Sequence, residues 1–433
     1  MRKSILLILF ISSLSFAQMI PTGIFTELHV LKNDGKIELN ICFRISYNSL
    51  VFKKENSKFR SQYVVSAEVA DSTGKTLVRE SISKIILIES FESTNSPLNF
   101  SEGVLKMTVR PSGDRIFNQG IGFSIPEYNL NALIKISDSN TEREIELPPQ
   151  RIYPVPGGEV FSQQIVLMGD GEGATNEFQM TNFGGRILFT SEKQILLFPV
   201  EDTSITSLKI KIMEKEDPEE DEAEFIHELT INDYFDGSFS IEESGNKLSI
   251  RKTETSGTRY FVLKDFTQKL SEGFAVFEVS DSVSKRHSSF PIPVFWYNKP
   301  LSAHNEDFII QALIAVEDKN VIDELQSGSS DERKLKFRKY WESIDPTPGT
   351  KFNELREEFF ARVDYAIRNF SSLNKMNGHQ TDRGKIYIRY GSPSEIIRGV
   401  NKYGRITESW IYKDMNREFI FTDRTGTNNF QLL

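Results

Sequence analysis

The chain has 433 residues, 38% of them hydrophobic and 26% charged, with a formal net charge of −9. That length supports two or three domains, each with its own core. The charge argues against nucleic acid or anionic lipid as a partner, because both need clustered Lys and Arg, and a single cysteine, Cys42, rules out an intramolecular disulfide or a thiolate metal cluster.

The first residues read "MRKSILLILFISSLSFAQ". Arg2 and Lys3 form a basic start, Ile5 to Ile11 is an unbroken apolar run, and Ser15-Phe16-Ala17 supplies small residues where a signal peptidase reads. Together they predict a signal peptide over residues 1–17, cut after Ala17, and export to the periplasm or beyond the cell. The apolar run is far shorter than the roughly 20 residues of a membrane-spanning helix. No later segment is apolar enough to span a membrane, and no cysteine near the cut offers a lipid anchor.

From Gly23 to Pro300 the pattern is β. "IELNICFRISY" puts Leu39, Ile41, Phe43, Ile45 and Tyr47 on one face and Asn40, Cys42, Arg44 and Ser46 on the other, the period of a half-buried strand. Turn signals follow at "KNDGK" (32–36), "DSTGK" (71–75) and "ESGNK" (243–247). "ALIKISDSNTEREIELP" from Ala132 is echoed by "AVFEVSDSVSKRHSSFPIP" from Ala275, each a strand, a Ser-Asp-Ser turn and a returning strand before a proline-rich exit. The pattern predicts two all-β, immunoglobulin-like sandwiches, at residues 18–150 and 155–300, with "LPPQRIYPVPGGE" as linker and the two hairpins at equivalent places. The acidic stretches at 169–177 and 213–225 lack calcium-loop spacing and read as solvated loops.

After Pro300 the period becomes helical. "EDFIIQALIAVEDKNVIDEL" reads as one helix, and "DERKLKFRKYWESI" places Phe337, Trp341 and Ile344 on one stripe. "DPTPGT" breaks the chain, Thr350 is positioned as an N-cap, and the next helix aligns Phe352, Leu355, Phe359, Val363, Ile367 and Phe370. "NKMNGHQTDRGKIYIRYGSPSEI" then follows. Its "KIYIRY" alternates as a strand would, Gly391 and Pro393 break it, and "ESWIYKDMNREFIFTDRTG" reads as a hairpin, with Trp410 and Tyr412 on one strand face. Residues 301–433 are thus expected to hold helices and a small α+β domain with an antiparallel sheet. Thr-Asp-Arg occurs at 381–383 and again at 422–424. Asp382 and Asp423 are expected to cap two related turns, with Gly384 and Gly426 nearby to relieve the backbone, and Arg383 and Arg424 to pair across the sheet.

The ordered set "FRKYWESIDPTPGTKFNELREEFFARVDYA", "NGHQTDRGKIYIRYGSPSEI", "ESWIY" and "EFIFTDRTG" resembles the GWxTD-domain family of exported bacterial proteins, over about Lys336 to Gly426. Gly378, Thr381 and Asp382 match the motif, and His379 stands where the family has tryptophan. The resemblance implies no reaction or ligand. A looser similarity is to the small envelope domains of the BamE/SmpA type, where a helix leads into a Gly-x-Pro turn before a Trp-x-Tyr strand; the reading above places a strand there.

A motif that exchanges Trp for His suits packing better than acid–base chemistry, since both are flat rings with an N–H. The five histidines form no zinc-type pair, and no nucleophile elbow or phosphate loop is present. The expectation is a non-enzymatic, cofactor-free envelope or periplasmic scaffold or interaction protein, whose partner is another envelope protein. Candidate interaction residues are those of the motif together with Tyr387, Gly391, Pro393, Trp410, Tyr412, Asp423, Arg424 and Gly426. A glycan or peptidoglycan module is the alternative, with Trp410, Tyr412 and Tyr387 as stacking rings, and a hydrolase using His379 and Asp382 is the third.

Overall fold

Strand β1 (Ile24–Asn33) pairs antiparallel with β2 (Lys36–Ser46), with Ile24 opposite Ile45. The chain continues through β3 (Lys53–Glu55), β4 (Lys58–Ala70), β5 (Thr76–Ile88), a one-turn helix α1 (Phe91–Thr94), β6 (Phe100–Val109), β7 (Leu130–Asp138), β8 (Arg143–Glu146) and β9 (Gln150–Ile152). The structure is a computed structural model, and it describes residues 23–33, 36–70, 74–109, 130–152, 165–169, 177–200, 202–217, 223–281, 287–304, 306–371 and 377–433. The predicted signal peptide, most of the linker and the centres of both acidic loops lie outside the described residues.

These strands make two antiparallel sheets. One runs β1-β2-β6. In the other, β4 lies between β5 and β7, with β8 and β9 beyond β7. Leu39, Ile41, Phe43 and Ile45 of β2 meet Tyr63, Val65 and Ala67 of β4 and Ile134 and Ile136 of β7 in one buried cluster. The apolar face read from the alternation is therefore the core, and each such side chain contributes about 1.5–3 kcal/mol by leaving water.

A second unit follows: β10 (Ile165–Met168), β11 (Glu177–Gln179), β12 (Ile187–Leu188), β13 (Gln194–Val200), β14 (Leu208–Lys215), β15 (Glu224–Ile231), β16 (Tyr234–Ser244), β17 (Lys247–Leu263), β18 (Gly273–Asp281) and β19 (His287–Phe295). Its sheets repeat the strand order of the first. β10-β13-β17 corresponds to β1-β2-β6, and β15-β14-β18-β19 to β5-β4-β7-β8. Ala132 on β7 and Ala275 on β18 thus occupy equivalent strands, and the Asp of each Ser-Asp hairpin faces the equivalent neighbour, Asp138 opposite Tyr63 and Asp281 opposite Leu208. Ser282, the end of the second Ser-Asp-Ser, is outside the described residues.

The polar face of β2 is not solvated as a half-buried strand requires: Asn40, Cys42 and Ser46 are buried. The β1-β2-β6 sheet is covered on this side too, by the second unit, with Leu31 and Cys42 sharing a cluster with Ile195, Leu197, Ile241, Leu248 and Ile250. A buried polar face needs partners; Arg44 has them, whereas neither side-chain amide atom of Asn40 finds one. Arg44 pairs with Glu102 at 3.2 Å, donates to the Thr181 carbonyl at 2.7 Å and lies 4.0 Å from the rings of both Phe100 and Phe183. The Leu248 N–H donates to Glu102 at 3.0 Å. Burial pushes the Glu102 carboxyl up and the Arg44 guanidinium down, each against the pull of the other. The two units therefore meet across a packed interface as well as through the linker.

The rest of the chain carries α2 (Glu306–Leu313), α3 (Lys319–Gln326), α4 (Ser330–Ser343), α5 (Glu354–Phe370), α6 (Asp382–Tyr390), β20 (Glu395–Val400), β21 (Ile406–Tyr412), β22 (Arg417–Asp423) and β23 (Phe430–Leu432). Three helix expectations change. The first helix is two, because the backbone is extended at Asp318, the N-cap of α3. The N-cap of α5 is Asn353, whose side chain accepts from the Arg356 N–H at 2.8 Å, instead of Thr350, whose hydroxyl donates to the Phe352 carbonyl. The buried stripe of α5 is Phe359, Phe360, Val363, Ala366 and Phe370, while Leu355 is 46% exposed. Phe352 is buried just before the helix, edge-on to Phe189 at 5.2 Å and to Trp296 at 5.9 Å. The helices thus share a continuous core with the second β unit.

Candidate functional site

The segment Gly378 to Gly384 is built where three pieces of backbone touch. A single 3-10 turn, Gly378–Gln380, sits on α5 and leads into α6. A Cβ on Gly378 would overlap the Ala366 carbonyl of α5, and one on Gly384 would overlap the Gly378 carbonyl. Any side chain at either position would push the layers apart. Hydrogen bonds stitch the same contact. The Gly378 N–H donates to Ser371 Oγ at 3.0 Å, Thr381 Oγ1 donates to the Gly378 carbonyl at 2.7 Å, and the Gly384 N–H donates to Thr381 Oγ1 at 3.1 Å. Thr381 is therefore the N-cap of α6, satisfying a first-turn N–H that would otherwise be orphaned.

That cap overturns the strand expected for "KIYIRY". Residues 382–390 are helix, and the buried positions Arg383, Gly384, Tyr387 and Ile388 recur at helical spacing. Six residues of alternating bulk fit both periods, so the cap decides. Gly391 closes the helix at φ +76°, where glycine is unstrained, with its N–H on the Tyr387 carbonyl at 2.7 Å. A helix thus leads into Gly391-Ser392-Pro393, so the difference from the Gly-x-Pro pattern noted above disappears. Pro393 is half-buried beside Ser394, whose N–H starts the sheet by donating to the Ile411 carbonyl at 2.8 Å. Tyr412 Oη donates to the Gly391 carbonyl at 2.8 Å, tying the turn to the returning strand.

Inside this frame sits a buried ion pair. Arg383 reaches Glu408 at 3.2 Å, with side-chain exposures of 7% and 6%. Glu408 also receives Arg398 Nε at 3.0 Å and the Trp410 indole N–H at 3.3 Å. Arg383 donates to Asn428 Oδ1 at 2.9 Å and lies 4.0 Å over the Phe430 ring. Burial lowers the Arg383 guanidinium, and Glu408 opposes that shift. Sequence reasoning missed Glu408. The signal was its place in "ESWIY", two residues from Trp410 and on the same strand face. A carboxylate on a core face needs a cation there.

The aromatic candidates are in the core. Trp410 is 1% exposed, between Phe370 at 5.3 Å and Phe421 at 5.0 Å. Tyr387 stacks on Tyr365 at 4.3 Å, and Tyr412 is buried. The two Thr-Asp-Arg copies are not related turns. Asp423 closes the expected one, accepting the N–H groups of Thr425, Gly426 and Asn428, which holds its carboxyl below the usual range, and Gly426 has φ +71°. Asp382 instead opens α6 and accepts the N–H of Leu432 at 3.0 Å, pinning the C-terminal strand. Gly384 relieves crowding between layers and has no positive φ. Arg383 finds an acid, but from helix α6 down onto the sheet instead of across it, whereas Arg424 is exposed. His379 is 2% exposed, and burial pushes its imidazole below the ordinary histidine range. Among the described residues, no group of three or more His, Cys, Asp or Glu is arranged to hold a metal ion.

The C-terminal sheet is ordered β20-β21-β22-β23, with β20 at one edge. All six residues of β20 are exposed, and Ile396, Ile397, Val400, Tyr403 and Ile406 present apolar side chains to solvent. Among the described residues, no helix is long and apolar enough to cross a membrane. A sequence model of the GWxTD domain matches residues 280–432. No curated protein matches the chain.

Proposed function

Starting from its identity as a GWxTD-domain protein, we propose that the chain is an exported, non-enzymatic scaffold of the cell envelope that acts by binding another envelope protein. Two immunoglobulin-like sandwiches, at residues 18–150 and 155–300, present the C-terminal domain at 301–433. One observation carries the reading: the GHQTDRG residues are spent on internal packing and capping, while Ile396, Ile397, Val400, Tyr403 and Ile406 of the β20–β21 hairpin stay exposed. Exposed apolar side chains gathered on one hairpin mark an interaction surface more often than a catalytic one. Export is supported by the basic start, apolar run and small-residue exit at the N-terminus.

The test is affinity capture of the tagged mature protein from envelope extracts, with mass spectrometry and N-terminal sequencing of the bait. The reading expects a mature N-terminus at Gln18 and a reproducible envelope partner. An uncut, cytoplasmic chain contradicts export, and hydrolysis of an envelope polymer by the purified protein contradicts the scaffold.

A further inference from the structure

β20 is an edge strand, and α5 and α6 do not reach over it. Ile396 lies opposite the buried Trp410, yet it is exposed, as are Val400 and Ile406 farther along the same pairing. Just past the strand, the Asn401 N–H bonds the Arg405 carbonyl at 2.9 Å. Antiparallel bonding alternates along a strand, so Gly399, Ile397 and Glu395 bond β21, and the N–H and C=O groups of Ile396, Arg398 and Val400 point to the open edge. An open edge with exposed apolar side chains is a template for one more strand.

The charge around this edge selects what would fit. Lys402 and Arg405 form the hairpin turn and make no ion pair among the described residues, and the Arg398 side chain is 76% exposed although its Nε touches Glu408. Glu395 is the one acid on the strand, and Lys413 neutralises it at 3.2 Å. On a chain of net charge −9, this rim is locally basic. We infer that the β20 edge takes up an extended segment of a partner protein as an added strand, and that this segment alternates apolar with acidic side chains. The inference rests on the protein-interaction reading above and names its surface and the partner's chemistry.

The probe is a short synthetic peptide alternating valine with glutamate, added to the full mature chain and followed by fluorescence anisotropy and amide hydrogen exchange. Saturable binding is expected, with slowed exchange at Ile396, Arg398 and Val400, and roughly tenfold weaker binding of the same peptide with lysine for glutamate. Val400→Pro removes a donor that points away from β21, so it should weaken binding about tenfold and leave the thermal melt unchanged. The double variant Lys402→Glu/Arg405→Glu should weaken it with the strand ladder intact, and it decides alone if Val400→Pro melts early. No binding, binding indifferent to peptide charge or to the charge-reversed variant, dimers of the chain that pair through β20, or a preference for anionic vesicles over the peptide each overturns the inference. Envelope capture that survives both variants sinks the β20 edge and keeps the interaction reading. Peptide binding with no envelope partner captured does the reverse.

Discussion

Glu408→Ala tests the buried centre of the C-terminal domain. The carboxylate holds Arg383, Arg398 and the Trp410 indole N–H at 3.0–3.3 Å. Without it, Arg383 keeps Asn428 and the rings of Phe370 and Phe430 but no carboxylate in a buried site. Breaking one partner of a buried pair costs about 3–5 kcal/mol, because the remaining charge is stranded. Arg398 on the same carboxylate is largely solvated, so Arg398→Ala should cost under about 1 kcal/mol. Urea unfolding of the mature chain, followed by the fluorescence of the buried tryptophans Trp296, Trp341 and Trp410, reads the difference. With a slope of about 1–3 kcal/mol per molar, Glu408→Ala should move the midpoint down by roughly 1–5 M. Replacing both partners with apolar residues, Arg383→Met/Glu408→Leu, should recover most of that loss. A Glu408→Ala midpoint no lower than that of Arg398→Ala would refute the buried-pair argument.

Gly384→Ala should lose about 2 kcal/mol or more in the same assay, since backbone must move to admit the methyl group and the helix-propensity gain of alanine is smaller; a stabilised variant would show the layers are not in contact. Phe359→Ala should cost roughly 3–5 kcal/mol, while Leu355→Ala, on the exposed face of α5, should cost less than about 0.5 kcal/mol, and equal losses would contradict the assigned stripe. Burial depresses the folded pKa of His379, so the unfolded chain takes up its proton first as pH falls below the ordinary value of 6.5. That contribution is intact above this value and is lost as pH drops toward the folded pKa. The fall in melting temperature from about pH 7.5 to about pH 5.5 should therefore shrink in His379→Trp, and an unchanged fall would show that His379 does not supply it.

Much of the fold was legible in local pattern. Alternation in β2 identified the core face, and the repeated Ser-Asp hairpins marked equivalent strands because the strands flanking them make the same pairing in both units. The failures came where a tertiary partner or a cap outweighs local period. The polar face of β2 reads as solvated until a second unit covers it, and Arg44 and Glu102 become a buried pair because β2 and β6, distant in sequence, lie side by side in one sheet. "KIYIRY" reads as strand until Thr381 is recognised as a helix cap and Gly391 as its terminator. In the motif, Gly378 and Gly384 were visible as glycines, but their reason is contact with α5 and with each other, which no spacing reveals. Glu408 was overlooked because a lone glutamate in a strand carries no signal until its face is known.

The central claim is that GHQTDRG holds the domain together and does not act on a ligand. Thr381→Ala, which removes both the cap of α6 and the bond to Gly378, tests it most directly when unfolding and envelope capture are measured on the same preparation. The account predicts a stability loss of about 1–2 kcal/mol, with capture per folded molecule equal to that of the parent. A parent-like midpoint with capture abolished would make the motif the working site and contradict the account.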